Sequence, residues 1–188
     1  MPRPIRLFVS ASADLEAERD AIGRLVAALP VTLGWEIGRT PLPGSEPDQV
    51  TVHVAPYDCD LYIFVLGRDI TAPAGSEWDE ARRVQHPILA LLKRVPRTPA
   101  GLAFQRLGLG AWVPYGTRSE FERIVRAWLV RSLLDGQERF GLVLPEVESL
   151  LALAAQLSPA PGALLSGLGA QDDHGAGGAG VILSDASG

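Results

Sequence analysis

Three apolar-rich runs, residues 5–9, 61–66 and 88–92, are too short for core helices and are spaced as buried strands. Between them the period changes from two to three or four. Leu15, Ile22, Leu25, Val26 and Leu29 share one face of a helix expected over 13–29, with Glu16, Arg19, Asp20 and Arg24 on the other faces and Pro30 as its stop. A second strand is expected at 33–37, a turn-rich loop at 39–49 and a short helix at 48–54. Residues 61–66 are apolar apart from the Tyr62 hydroxyl, and Gly67 closes that strand.

The segment 68–75 reads as a loop, with Ser76 able to cap a helix over 77–85 that opens on Glu77, Asp79 and Glu80 and stops before His86-Pro87. A short helix at 99–107 and a last strand at 111–113 follow. A strong amphipathic helix at 119–134 then carries Phe121, Ile124, Val125, Trp128, Leu129 and Leu133 on one face, and Ser119-x-x-Glu122 fits a capping box.

This alternation, without hairpin signals, predicts a flavodoxin-like three-layer α/β sandwich around a mainly parallel sheet of about five strands. It assigns residues 1–140 to the α/β domain and 141–157 to an extra C-terminal helix. The Gly- and Ala-rich stretch 158–188 is left as a flexible linker or tail. Val147, Leu150, Leu151 and Ala154 form an apolar stripe on the extra helix, which must pack on its own domain or on a second chain. The closing VILSDASG resembles the start of another strand, so a longer protein is expected.

Charge narrows the partners. All 17 Lys and Arg residues fall at or before Arg139, whereas five of the 22 acidic residues follow it, so the net charge of −5 belongs to the C-terminal part. No basic block or aromatic-interleaved basic patch stands out, which argues against nucleic-acid binding. The apolar runs are too short to cross a bilayer, and the N-terminus lacks the apolar stretch of a secretory signal. Cys59 is the single cysteine, so an intrachain disulfide is excluded and a reducing, cytoplasmic setting is expected.

His53, His86 and His174 are scattered, and none pairs with Cys59 at metal spacing, so no metal is expected. There is no Walker motif, and the first strand–helix turn, SASAD, has none of the glycines of a dinucleotide fingerprint. What remains is a set of polar groups at strand ends on one edge of the sheet, where this fold class binds ligands. Ser10, Ser12 and Asp14 follow the first strand, Arg39 and Thr40 the second, Gly67 and Arg68 the third, and Lys93 and Arg94 the fourth, while Glu77 and Trp78 open the helix after the third.

Each also has a plain structural reading. Ser12 can be a cap, Asp14 and Glu77 dipole partners, Arg68 a solvated loop residue, and Trp78 part of the core. Glu77 stands apart because a carboxylate beside a nucleotide pocket can hold ribose hydroxyls or stabilise the charge developing on a sugar as its N-glycosidic bond breaks.

Four ordered stretches, FVSASADLEAERDAI, CDLYIFVLGRDI, GSEWDEA and ALLKRV, together resemble a bacterial TIR-like family of unassigned function, over roughly residues 3–94. That family is similar to TIR domains and to nucleoside deoxyribosyltransferases, where a Glu starting the corresponding helix acts at a ribosyl carbon. On the spacing Glu-x-x-x-Ala the resemblance implies Glu77, followed by Ala81, as the catalytic carboxylate, with Glu80 a weaker fit. It implies nucleotide contacts from Ser10, Ser12, Asp14, Arg39, Gly67, Arg68 and Trp78, with NAD or a related nucleotide as substrate and no cofactor.

The chain departs from the pattern in having Ala11 in place of a second serine, and in Trp78 following rather than preceding the Glu. Relatives often form the N-terminal module of larger signalling or anti-phage defence proteins. The alternative it leaves open is therefore a non-catalytic domain that self-associates or recruits a fused or partner effector.

Overall fold

Five strands make one parallel sheet: β1 (Ile5–Ala11), β2 (Trp35–Arg39), β3 (Leu61–Leu66), β4 (Ile88–Lys93) and β5 (Val113–Tyr115), in the order β2-β1-β3-β4-β5. This computed structural model describes residues 3–41, 54–107 and 111–157. The order is that of a flavodoxin-like doubly wound sheet, with the switch point between β1 and β3. β3 lies at the centre, paired with β1 from Leu7↔Leu61 to Ala11↔Val65 and with β4 from Tyr62↔Ile88 to Leu66↔Leu92. All six of its residues are buried, as a strand covered on both faces requires.

Alternate residues of the strands feed two different cores. One is aliphatic: Leu7, Val9, Leu61, Ile63 and Leu91 pack with Ile22 and Leu25 of α1 (Glu16–Ala27), with Val125 and Leu129 of α4 (Arg118–Asp135), and with Leu150 of α6 (Leu144–Leu157). The other is aromatic: Phe8, Tyr62 and Phe64 pack with Trp78 of α2 (Ala72–Ala81) and Phe104 of α3 (Pro99–Arg106), together with Trp112. A short α5 (Gln137–Phe140) joins α4 to α6. The extra helix therefore packs on its own domain, with Leu150 fully buried and Leu153, Ala154 and Leu157 against the same core, while Leu151 stays exposed.

Several boundaries differ from the expected ones. The first helix begins as a 3-10 turn, Ala13–Leu15, and Arg19 is buried rather than on a solvated face. β2 lies two residues later than expected because Gly38 is needed inside it. A Cβ there would come within 2.6 Å of the Val54 carbonyl and 2.7 Å of the Phe8 ring, so this glycine marks close packing rather than a break. β5 also runs two residues later, through Pro114, which an edge strand tolerates.

α2 begins five residues before the expected start, with Thr71 as N-cap and Pro73 in the first turn, where a missing N–H costs nothing. It ends at Ala81, short of 85. The capping box of α4 is Thr117 with Glu120 rather than Ser119 with Glu122. Glu120 N–H donates to Thr117 Oγ1 at 3.2 Å and Thr117 N–H to Glu120 Oε2 at 3.3 Å, which leaves Glu122 to pair with Arg118 at 2.7 Å. Residues 48–53 of the helix expected at 48–54, and the tail 158–188, lie outside the described residues.

Candidate functional site

At the carboxyl end of β1 the chain stops being apolar while remaining buried. Ser10 is a strand residue, fully inaccessible and on the aromatic side of the sheet with Phe8. A buried hydroxyl needs a partner, and Ser10 Oγ donates to Glu77 Oε2 at 2.5 Å. Thr40, just past β2, donates its hydroxyl to the same oxygen at 2.6 Å. Thr40 is held from two further directions: its N–H donates to the Val9 carbonyl at 3.2 Å, and its Oγ1 accepts the Ala11 N–H at 3.1 Å.

Glu77 is 9 % exposed and sits in the second turn of α2, the sixth residue of the helix. The expectation that it opens the helix is therefore corrected: the first turn of α2 holds no acidic residue, and the helix dipole is not what places this carboxylate. The amphipathic period of α2 places it instead, because Ala74, Glu77, Trp78 and Ala81 form the buried face. Burial pushes the Glu77 carboxyl above the usual carboxylate range, while the Ser10 and Thr40 hydroxyls and the Arg19 charge pull in the opposite direction. The Tyr62 phenol, also fully buried, is pushed up by burial as well, against the pull of the neighbouring Ser10 hydroxyl.

The other expected residues divide. Asp14 and Arg68 come together, with Lys93, Val95 and Pro96, around an open cleft of about 430 Å³. These residues lie in or next to the loops after β1, β3 and β4, so the cleft lies over the switch point. Ser12 is buried and its hydroxyl donates to Asp14 Oδ1. Gly67 keeps the β1 and β3 loops close: a Cβ there would meet Leu15 at 3.1 Å and Asp14 Oδ2 at 3.3 Å. Arg39 stands apart from this group, paired with Asp20 at 3.4 Å and Glu16 at 3.7 Å on α1. Trp78 is a core residue, stacked on Trp112 at 5.8 Å and tilted against Phe64 at 4.9 Å.

Sequence reasoning passed over two residues, Arg19 and Glu18. Arg19 is 1 % exposed and donates from one terminal nitrogen to the Thr40 carbonyl and from the other to Glu16 Oε2 at 2.8 Å. Glu18 meets Lys93 Nζ at 2.6 Å and accepts the Tyr115 hydroxyl at 3.3 Å, on the aliphatic side of the sheet beside a second cavity of about 190 Å³. The Glu-Arg pair within LEAERD was the available signal: its two side chains serve opposite sides of β1's end.

Among the described residues no cluster of three or more His, Cys, Asp or Glu could hold a metal ion, and no helix is long and apolar enough to cross a membrane. Cys59 is buried, its thiol is pushed up to about 12 by burial, and it donates to the Pro56 carbonyl at 3.3 Å.

No protein-family model matches the chain, and no curated protein matches it. Among solved structures it is similar to a CMP N-glycosidase of Clostridium botulinum, BcmB, at 25 % identity, over 64 % of this chain and 96 % of that one, with a TM-score of 0.41.

Proposed function

We propose that this domain is a TIR-like signalling or defence module that hydrolyses the N-glycosidic bond of NAD or a related nucleotide, with Glu77 as the carboxylate at the ribosyl carbon. The observation that carries the reading is the buried Ser10–Glu77–Thr40 cluster, in which two hydroxyls hold one carboxylate oxygen at the carboxyl edge of a doubly wound sheet.

Cleavage of such a bond passes through an oxocarbenium-like transition state, and an anion already fixed beside the developing positive charge lowers its energy without reorganising. Both hydroxyls fall on Oε2, so in this reading Oε1 meets the sugar. The C1′–N bond breaks with its electron pair going to the nitrogen of the departing base. With NAD this neutralises the pyridinium and releases nicotinamide. Water then adds its oxygen to C1′ and gives up one proton. Ser10 and Asp14 are four residues apart and therefore within about 14 Å of each other, which brings the Asp14–Arg68–Lys93 cleft within a nucleotide's reach of Glu77. The Arg68 guanidinium is the phosphate ligand in this reading.

Purified protein, alone and crowded on a scaffold, is incubated with NAD and nicotinamide release is followed. The expected result is turnover that Glu77→Gln lowers by at least about 100-fold. Absence of turnover in both states, or a Glu77→Gln variant as active as the parent, overturns the enzymatic reading.

The second reading is a non-catalytic module that self-associates or recruits a fused effector. It is favoured by the large apolar side chains left exposed around α6, namely Val143, Leu144 and Leu151. Sedimentation that is independent of concentration in the parent and in Leu144→Ser would remove its support.

A further inference from the structure

We propose that Arg19 is a positioning residue of the Glu77 site: from α1 it grips the backbone of Thr40, and through Thr40 it fixes the hydroxyl that holds the carboxylate. The proposal deepens the reading of Glu77 given above and rests on it for its catalytic meaning.

A guanidinium buried to 1 % exposure is costly unless its donors are used. Glu16, the one acidic partner that Arg19 has among the described residues, is itself partly exposed and three residues away on the same helix. The second terminal nitrogen donates to the Thr40 carbonyl, and Nε has no partner among the described residues. An arginine that served only to pair with Glu16 would gain more by lying on the surface.

What its burial secures is the residue after β2. Thr40 is held by its N–H on Val9, by its hydroxyl between Ala11 and Glu77, and by its carbonyl on Arg19. The first two holds leave the following peptide free to rotate about the Thr40 backbone, and the third stops it.

Charge points the same way. The groups that face Glu77 are the Ser10 and Thr40 hydroxyls, the neutral Tyr62 phenol from β3, Glu80 from α2 and Arg19 from α1. Among these Arg19 is the one cation. Burial and Glu80 both favour the protonated acid, so Arg19 supports the ionised form that charge stabilisation at a ribosyl carbon requires.

The test follows the carboxyl carbon resonances of glutamate-labelled protein through a pH titration, with Glu77 identified by its loss in Glu77→Gln. The Ala11 amide resonance reports the Thr40 hydroxyl in the same samples, and circular dichroism reports folding. Arg19→Met removes charge and grip together, and its Glu77 is expected to bind a proton about tenfold more tightly than in the parent. Arg19→Lys keeps the charge and loses the fork. Its Glu77 is expected to titrate within about threefold of the parent, while the Ala11 amide moves in both variants.

An unchanged Glu77 titration in folded Arg19→Met, or an unmoved Ala11 amide in Arg19→Lys, overturns the proposal and leaves Arg19 as an anchor of α1. If Arg19→Met does not fold, Arg19→Lys decides alone by the Ala11 amide. These readouts need no turnover. Loss of the glycosidase reading with the titrations as expected leaves Arg19's hold on Glu77 standing, and turnover with unshifted titrations removes this inference alone.

Discussion

Glu77 and Glu146 are both nearly inaccessible, at 9 % and 7 % exposure, and each binds a threonine hydroxyl, yet their proton affinities move in opposite directions. Glu146, near the start of α6, accepts the Thr32 N–H at 2.6 Å and the Thr32 hydroxyl at 2.7 Å on one oxygen, and the Val143 N–H at 3.0 Å on the other. The Thr32 hydroxyl first, and then the Thr32 and Val143 N–H groups, hold its carboxyl below the usual range. Glu77 has two hydroxyls and the Arg19 charge against burial, and burial wins. Backbone amides are fixed donors that favour only the anion, whereas a hydroxyl can rotate and serve either form. Glu146 is a clamp between α6 and the segment before β2. Glu77 is held by two hydroxyls that can serve it in either charge state.

The comparison breaks most directly at the clamp. Glu146→Ala leaves two backbone N–H groups and a hydroxyl without their acceptor, and is expected to cost about 2–3 kcal/mol in denaturant unfolding. The loss should depend on pH in a stated direction. A carboxyl whose native proton affinity is lowered contributes stability above its unfolded value, and that contribution disappears as pH falls through the native value. The parent and Glu146→Ala should therefore converge on acidification, and a constant gap between pH 7 and pH 3 would show that the clamp works by packing alone. Thr32→Val is the smaller perturbation. It removes one hydroxyl donor and keeps both amides, so about 1 kcal/mol is expected from the same unfolding curves.

The two carboxylates also show what sequence periodicity can and cannot reach. Strands β1, β3 and β4 were legible because apolar runs buried on both faces have no other stable use in so short a length. Edge strands β2 and β5 were each displaced by two residues, since their half-buried positions carry a weaker pattern than the central runs. Glu77 was singled out by its spacing to Ala81, but was placed in the first turn because Pro73 and Gly75 resemble a loop.

The partners were the illegible part. Ser10 meets Glu77 across 67 residues of chain, Arg19 meets Thr40 across 21, and Thr32 meets Glu146 across 114. Local pattern describes which face of an element is apolar and carries no record of which distant polar group will satisfy a buried one. Arg19 shows this best: its spacing to Leu15, Ile22 and Val26 puts it on the buried face of α1, but nothing local names the Thr40 carbonyl that it meets there.

The smallest expected effect is the sharpest test of the difference, because its sign is opposite to that at the clamp. Glu77→Gln keeps a carbonyl oxygen able to accept both the Ser10 and the Thr40 hydroxyls, so the hydrogen bonds survive and the change in stability should stay within about 1 kcal/mol. What the substitution removes is the ionised form, which burial penalises in the folded state. A group whose native proton affinity is raised weakens the fold as pH rises from its unfolded value, near 4.3 for glutamate, to its native value, and the penalty is full above that. Glu77→Gln should therefore be slightly more stable than the parent at pH 7, and the margin should vanish as pH falls below the ordinary carboxylate range. The measurement is the difference in denaturation midpoint between the two proteins from pH 7 to pH 4. If the margin grew on acidification, Glu77 would be stabilised as the anion, as Glu146 is, and the contrast between a clamp and a carboxylate held at a site would be lost.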